Sequence, residues 1–302
     1  MKKILPFFIC ALSIVSVSAQ QDAQFSQNMF NKLANNPGFA GSRQAICATV
    51  LHRSQWMGFE DAPTTLNLSV DAGIPLLHGG VGLNIVKDDI AGYSNLGLQA
   101  SYAYRANLGN GQVGLGISLG MFQSGLNGGF LEPSDPGDDV IPTGDIKGSA
   151  LDLGAGLYYN TQDVYIGLST AHVTEPDIEK TDGSIIALNR HYFLIAGYYH
   201  ELNPLLSLNP SIYLKSDGAT SQLDVNTNLI YNNKIWGGVS YRLDEGLVLL
   251  AGMNINEDLK FGLAYDVVMS KIGNNSLEFM LGYDFKIKYD KGTKKYQNPR
   301  FL

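Results

Sequence analysis

Five histidines, one acidic loop and two glycine runs are the residues of this chain with the types and spacing for chemistry. His52, His78, His172, His191 and His200 show no His-x-x-x-His spacing and no acidic partner motif, so no local metal centre is expected and each reads as a loop or rim residue. Glu132, Asp135, Asp138 and Asp139 gather carboxylates in one loop, the oxygen donors that hard cations prefer. They lack the spaced ligands of a calcium loop, and Pro133 and Pro136 stiffen the stretch, so a solvated external loop is the expectation. Gly79 to Gly82 and Gly114 to Gly120 resemble phosphate loops, yet no helical pattern follows to aim amide N–H groups at an anion. They are expected to be strand glycines. No spacing marks a serine, histidine and acid set of the kind a barrel lipase needs. The chain is therefore expected to be non-enzymatic, with no cofactor and no bound metal.

The elements that hold these residues begin with an export signal. Lys2 and Lys3 precede the apolar run Ile4 to Val17, and Val17-Ser18-Ala19 offers small residues for cleavage, so residues 1–19 are expected to be a signal peptide. The run is too short for a bilayer-spanning helix and contains Pro6. Beyond it Cys47 is the one cysteine, which leaves no internal disulfide and no cysteine metal cluster. A formal charge of -7 argues against a nucleic-acid partner, which needs clustered positive charge. Glycine accounts for 34 of 302 residues, charged residues are 16%, and Tyr and Phe number 16 and 13. That mixture suits a large sheet with one face against something apolar.

Alternation carries the fold. Leu96, Leu98, Ala100, Tyr102 and Tyr104 fall on one side of a strand, and Gly97, Gln99, Ser101, Ala103 and Arg105 on the other. From Leu277 to Tyr289 the odd-numbered residues are apolar and the even-numbered ones are Glu278, Met280, Gly282, Asp284, Lys286 and Lys288. A sandwich with a solvated face and a barrel with a polar lumen both give this pattern. About fourteen strands are expected, spanning 46–56, 65–75, 79–87, 94–107, 112–124, 148–160, 163–173, 190–201, 205–215, 221–232, 234–243, 246–256, 258–268 and 275–288, an even number as bacterial barrels require. Even-numbered connections are tight, such as Leu108-Gly109-Asn110-Gly111 and Asn203-Pro204, whereas the two longest, Gly125 to Lys147 and Thr174 to Asn189, are odd-numbered. Such sorting fits short periplasmic turns and longer external loops. No stretch after the signal is apolar enough for a transmembrane helix. The expected fold is all-β: a transmembrane antiparallel up-and-down barrel over residues 46–288, preceded by a periplasmic or plug segment, 20–45, and followed by a periplasmic tail, 289–302. Both termini then lie in the periplasm, and the protein in the outer membrane.

The ends carry specific motifs. Gln27-Asn28-Met29-Phe30-Asn31, Asn36-Pro37-Gly38-Phe39-Ala40-Gly41-Ser42, Arg53-Ser54-Gln55-Trp56-Met57-Gly58-Phe59 and Ala62-Pro63-Thr64-Thr65 resemble the N-terminal region of the PorP/SprF family. That family comprises outer-membrane proteins of type IX secretion and gliding motility in the Bacteroidetes. The ending Asn298-Pro299-Arg300-Phe301-Leu302 is similar to the family's C-terminal signature. The chain departs from the commonest pattern at Lys32, Leu33 and Gly38. The resemblance implies secretion or surface attachment of cargo with a type IX C-terminal sorting domain, such as gliding adhesins. It also implies contact with periplasmic secretion components or peptidoglycan-linked proteins, besides outer-membrane lipid.

The residues expected to carry the motif or touch a partner are Asn36, Pro37, Gly41, Arg53, Gln55, Trp56, Pro63, Thr64, Asn298, Pro299 and Arg300. For Arg53 and Trp56 a lumen charge and an interfacial girdle ring are the competing roles. Phe25, Met29 and Leu33 lie four apart, so Asp22 to Leu33 is expected to form a short amphipathic helix, plugging the lumen or lying on the periplasmic rim. Gly79-Gly80, Gly128-Gly129 and Gly237-Gly238 would admit bulges or the close approach of a plug. A porin-like channel or small-molecule transporter is the alternative function, and a barrel enzyme a third class.

Overall fold

A computed structural model describes residues 22–43, 45–130, 144–269 and 273–286. The motif residues Asn298, Pro299 and Arg300, the acidic loop and the signal stretch lie outside them. Along the chain run β1 (Ile46–Ser54), β2 (Thr64–Ile74), β3 (Gly79–Ile90), β4 (Tyr93–Leu108), β5 (Gly111–Leu126) and β6 (Ile146–Asn160). There follow β7 (Val164–Ala171), the short β8 (Asp177–Glu179) and β9 (Ile185–Ala187), β10 (His191–Tyr198) and β11 (His200–Asn203). The wall is completed by β12 (Leu206–Ser216), β13 (Ser221–Tyr231), β14 (Ile235–Arg242), β15 (Gly246–Asn254), β16 (Leu259–Val268) and β17 (Ser276–Phe285).

Adjacent wall strands pair antiparallel from β1 to β7 and from β12 to β17, β1 also pairs with β17, and β10 pairs with both β7 and β12. The sheet therefore closes on itself. With β10 and β11 forming one wall strand interrupted at Tyr199, fourteen strands make the barrel. Closure gives every wall strand two partners, the condition for crossing hydrocarbon with strands.

The faces are inverted relative to a soluble protein. On β2 the buried residues are Thr65, Asn67, Ser69 and Asp71, while Leu66 is exposed. On β17 Ser276, Glu278 and Met280 are buried and Phe279 and Leu281 exposed. The polar face points inward and the apolar face outward along the wall, which suits lipid and removes the sandwich reading.

The strand spans agree with the sequence reading to within a few residues, with three local differences. β3 runs on to Ile90, because the third connection is only Ala91-Gly92 and Ala91 adopts a left-handed conformation (φ 49°). The loop after β7 contains the hairpin β8–β9. Asp22 to Leu33 form no helix: turns alternate with irregular backbone. The N–H groups of Ser26 and Gln27 donate to the Glu278 carboxylate at 2.7 and 2.9 Å, so wall groups satisfy donors that a helix would turn inward.

Candidate functional site in a plugged lumen

Residues 22–43 fill the lumen and run antiparallel to β1. Ser26 meets Arg53 at one end of β1, Asn31 meets Asn67 and Ser69 at mid-height of β2, and Arg43 meets Asp71 and Asp284 at the other end of the wall.

At the Ser26 level the wall converges five buried ionic side chains. Arg53 donates to Asp266 Oδ2 at 2.6 Å and lies 3.5 Å from Glu278, and Arg242 pairs with Asp224 at 3.2 Å and with Asp266 at 3.1 Å. Their inward direction follows from strand alternation, which puts Arg53, Arg242, Asp224, Asp266 and Glu278 on the lumen face of their strands. The Ser26 hydroxyl donates to Asp266 at 2.7 Å and accepts from Arg53 at 2.8 Å and from Arg242 at 3.2 Å. Two guanidinium groups against three carboxylates leave a negative excess, which the Ser26 and Gln27 amides face. Midway, Asn31 donates to Asn67 Oδ1 and Ser69 Oγ at 2.5 and 2.8 Å, and Asn67 donates on to Asn84 at 2.7 Å.

Apolar pegs fix the same segment. Phe25 and Met29 enter a cluster with Leu51, Trp236, Val248, Leu250 and Met280. Leu33, Phe39 and Ala40 enter another with Tyr158, Phe193, Ile195 and Tyr213. The four-residue spacing read from the sequence thus serves as pegs on an irregular strand of chain.

At the Arg43 end the wall makes room for backbone. Asn36 accepts from the Gly38 N–H at 2.8 Å, capping the 3-10 turn Pro37–Phe39, and donates to the Leu157 carbonyl at 3.0 Å. A Cβ on Gly116 would stand 2.2 Å from Gly38 N, and one on Gly80 2.4 Å from Gly41 Cα. Gly41 itself has φ 66°, a conformation that excludes most side chains. Gly41 donates its N–H to Asp71, and Arg43 bridges Asp71 and Asp284 at 3.0 and 3.2 Å.

Of the titratable groups of the segment, which lies outside the wall strands, Lys32 and Asp22 are shifted downward. Burial, reinforced by Arg43 and Lys260, lowers Lys32 from 10.5 to about 7, and its ammonium lies 4.1 Å over the Tyr165 ring. Burial would raise Asp22, but His172, His191 and Lys215 outweigh it and hold the carboxyl well below the usual range. Beside the segment, toward β3–β7, a cavity of about 110 Å³ is lined among others by Asp22, Phe25, Leu33, Gln99 and Phe122.

Among the described candidate residues, Asn36, Pro37 and Gly41 lie toward the Arg43 end of the lumen, whereas Arg53 lines a small cavity with Gln55 and Trp56 at the Ser26 end. Asn36, Pro37 and Gly41 sit on the lumenal segment, and Arg53 in the buried ionic cluster. Gln55, Trp56, Pro63 and Thr64 frame the loop between β1 and β2: Gln55 donates its N–H to the Pro63 carbonyl at 2.9 Å, Trp56 has φ 51°, and Thr64 opens β2. The constellation that sequence reasoning missed is Asp22, His172 and His191. His172 and His191 are buried rather than at a solvated rim. They bracket the long loop, and Asp22 lies 150 positions from His172 in sequence, so no local spacing betrays them.

The solved structure titled CymD monoaromatic hydrocarbon channel superposes with a TM-score of 0.53 at 13% identity, covering 88% of this chain and 94% of that one. The TodX deltaS2S3 mutant monoaromatic hydrocarbon channel gives 0.50 at 12% identity, over 85% and 94%. The Ralstonia pickettii toluene transporter TbuX gives 0.48 at 15%, over 83% and 92%. At such identities the likeness is one of fold. No curated protein matches the chain. A family model does match, over residues 17–283, and so over the lumenal segment as well as the wall: the protein belongs to the type IX secretion system membrane protein family PorP/SprF.

Proposed function

We propose that this barrel is a non-enzymatic outer-membrane component of type IX secretion that supports secretion or surface attachment of cargo bearing a C-terminal sorting domain, and that contacts periplasmic secretion components. The observation that carries this reading is the lumen filled by the chain's own residues 22–43, held by the Ser26 ionic cluster and by glycines that admit backbone. A barrel occupied in this way offers its rims and long loops for work, and membership of the PorP/SprF family supports that use. In this reading Gln55, Trp56, Pro63 and Thr64 meet partners at the far rim, and 289–302 form a periplasmic tail.

The test is mild detergent extraction of the tagged protein from its outer membrane, followed by mass spectrometry of what stays bound. Cargo with a sorting domain or a periplasmic secretion protein is the expected partner, and recovery of a lone barrel overturns the reading. A second reading, a small-molecule channel, is favoured by the cavity of about 110 Å³ beside the segment and by the channel titles of the similar barrels. It predicts conductance or solute uptake by the barrel alone.

A further inference from the structure

We infer that Asp22, His172 and His191 form a site for a divalent transition metal of the zinc class, which latches the lumenal segment to the two roots of the loop between β7 and β10. The site is independent of the secretion reading. His172 follows β7 directly and His191 opens β10, opposite Ala171 in the ladder. Strand pairing thus brings two imidazoles 19 residues apart in sequence to a centroid distance of 5.7 Å, at 81°. Asp22 enters between them from the lumenal segment. Its carboxylate lies 2.9 Å from His172 Nε2 and 4.0 Å from His191 Nδ1, and one ligand atom from each of the three residues falls within 4.8 Å of the others.

The surroundings are those a metal-binding imidazole needs. Asp152, buried on β6, stands 2.9 Å from His172 Nδ1 and is itself held by Gln99 at 2.8 Å. A proton on Nδ1 directed at Asp152 leaves the Nε2 lone pair facing Asp22, the carboxylate–histidine arrangement found behind metal ligands. His191 is buried, with Nδ1 3.0 Å from the Asn189 carbonyl, and its Nε2 has no hydrogen-bond partner among the described residues.

Two imidazoles and one carboxylate suit zinc and other borderline divalent ions, with open positions left for water or solute. Metal–ligand bonds of about 2.1 Å put neighbouring ligand atoms roughly 3 to 3.4 Å apart. The Asp22–His172 edge already has that length, and the 4.0 Å edge to His191 closes when Nδ1 leaves the Asn189 carbonyl for the metal and the ring proton moves to the unpartnered Nε2. Asp22 and Asp152 balance a divalent charge, while Lys215, which donates to the Asp22 carbonyl, is the opposing cation. Because Asp22 belongs to the segment and both histidines to the wall, metal binding stabilises the docked segment over the released one.

The experiment is isothermal titration of the purified full chain in detergent micelles with Zn²⁺ alone, with bound metal counted by mass spectrometry. The expected result is saturable binding of one Zn²⁺ per chain, lost in His172→Ala/His191→Ala and weakened about 10- to 100-fold in Asp152→Asn. Heat-modifiable gel mobility identifies the variants that still fold. Absence of one-to-one binding by the folded wild type, or unchanged binding by the folded double variant, overturns the site.

Discussion

The Ser26 hydroxyl stands 2.7 Å from Asp266, a residue 240 positions later in the chain, and its oxygen accepts from both Arg53 and Arg242. One donor and two acceptor positions are all that a hydroxyl has, so Ser26 is saturated, and its alanine variant leaves two guanidinium N–H groups and one carboxylate short of a partner. Ser26→Ala is expected to weaken docking of the lumenal segment by roughly 1–3 kcal/mol while the barrel remains closed. Faster protease cleavage of that segment in the folded barrel, at unchanged heat-modifiable mobility, is the readout.

Arg53 is the cation nearest Glu278, which is fully buried among the described residues. Arg53→Met strands that carboxylate and removes one of the two arginines on Asp266. A cost of about 3–5 kcal/mol is expected, because an unpaired buried charge costs more than the pair contributes. Arg53→Met/Glu278→Gln should recover part of it, since glutamine still accepts from a Ser26 or Gln27 amide. Denaturant unfolding in micelles gives both numbers, and strictly additive effects would contradict the pairing.

The Gly116–Gly38 approach yields a gain of function. A side chain on Gly116 meets Pro37 and Gly38 backbone at 2.3 and 2.2 Å, distances no rotamer relieves. In Gly116→Val the segment must leave that groove, whereas the outer face and the strand ladder are untouched. Single-channel recordings should show a conductance that the wild type lacks. A silent variant with normal folding would mean that the segment relaxes in place.

The wall was legible in the sequence and the site was not, for a physical reason. A strand's two faces alternate locally, so Leu277 to Phe285 declares its two faces without knowledge of any neighbour, and the side chain of Glu278 could be assigned to the polar face at once. The choice between lumen and solvent rested on the sorting of loop lengths. The lumenal segment has no such period. Phe25, Met29 and Leu33 sit four apart because two clusters on the wall receive them at that spacing, and the same spacing mimics a helix. Glycine abundance was visible, but whether Gly116 and Gly80 served bulges or a close neighbour depended on residues 37–41 lying against them. The grouping of Asp22 with His172 and His191 needed ladder register and segment path together.

Lys32 makes docking depend on pH. In the docked segment burial, Arg43 and Lys260 hold its pKa at about 7, against 10.5 for the ordinary side chain. Between those values the released segment carries a proton that the docked one has shed. Docking is therefore unopposed by this group above 10.5, weakens as pH falls through the window, and below about 7 is opposed by the full amount with no further change with pH. The Tyr165 ring 4.1 Å from the ammonium offsets part of the effect by favouring the charged form. Trp236 reports on docking because Phe30 packs against it at 4.3 Å, and Trp56→Phe leaves it the sole tryptophan of the two in the chain. Its emission is expected to move toward that of a water-exposed indole as pH is lowered from about 9.5 to 7, and Lys32→Met should flatten the response. An equal shift in the Lys32→Met protein would assign the pH dependence to another group.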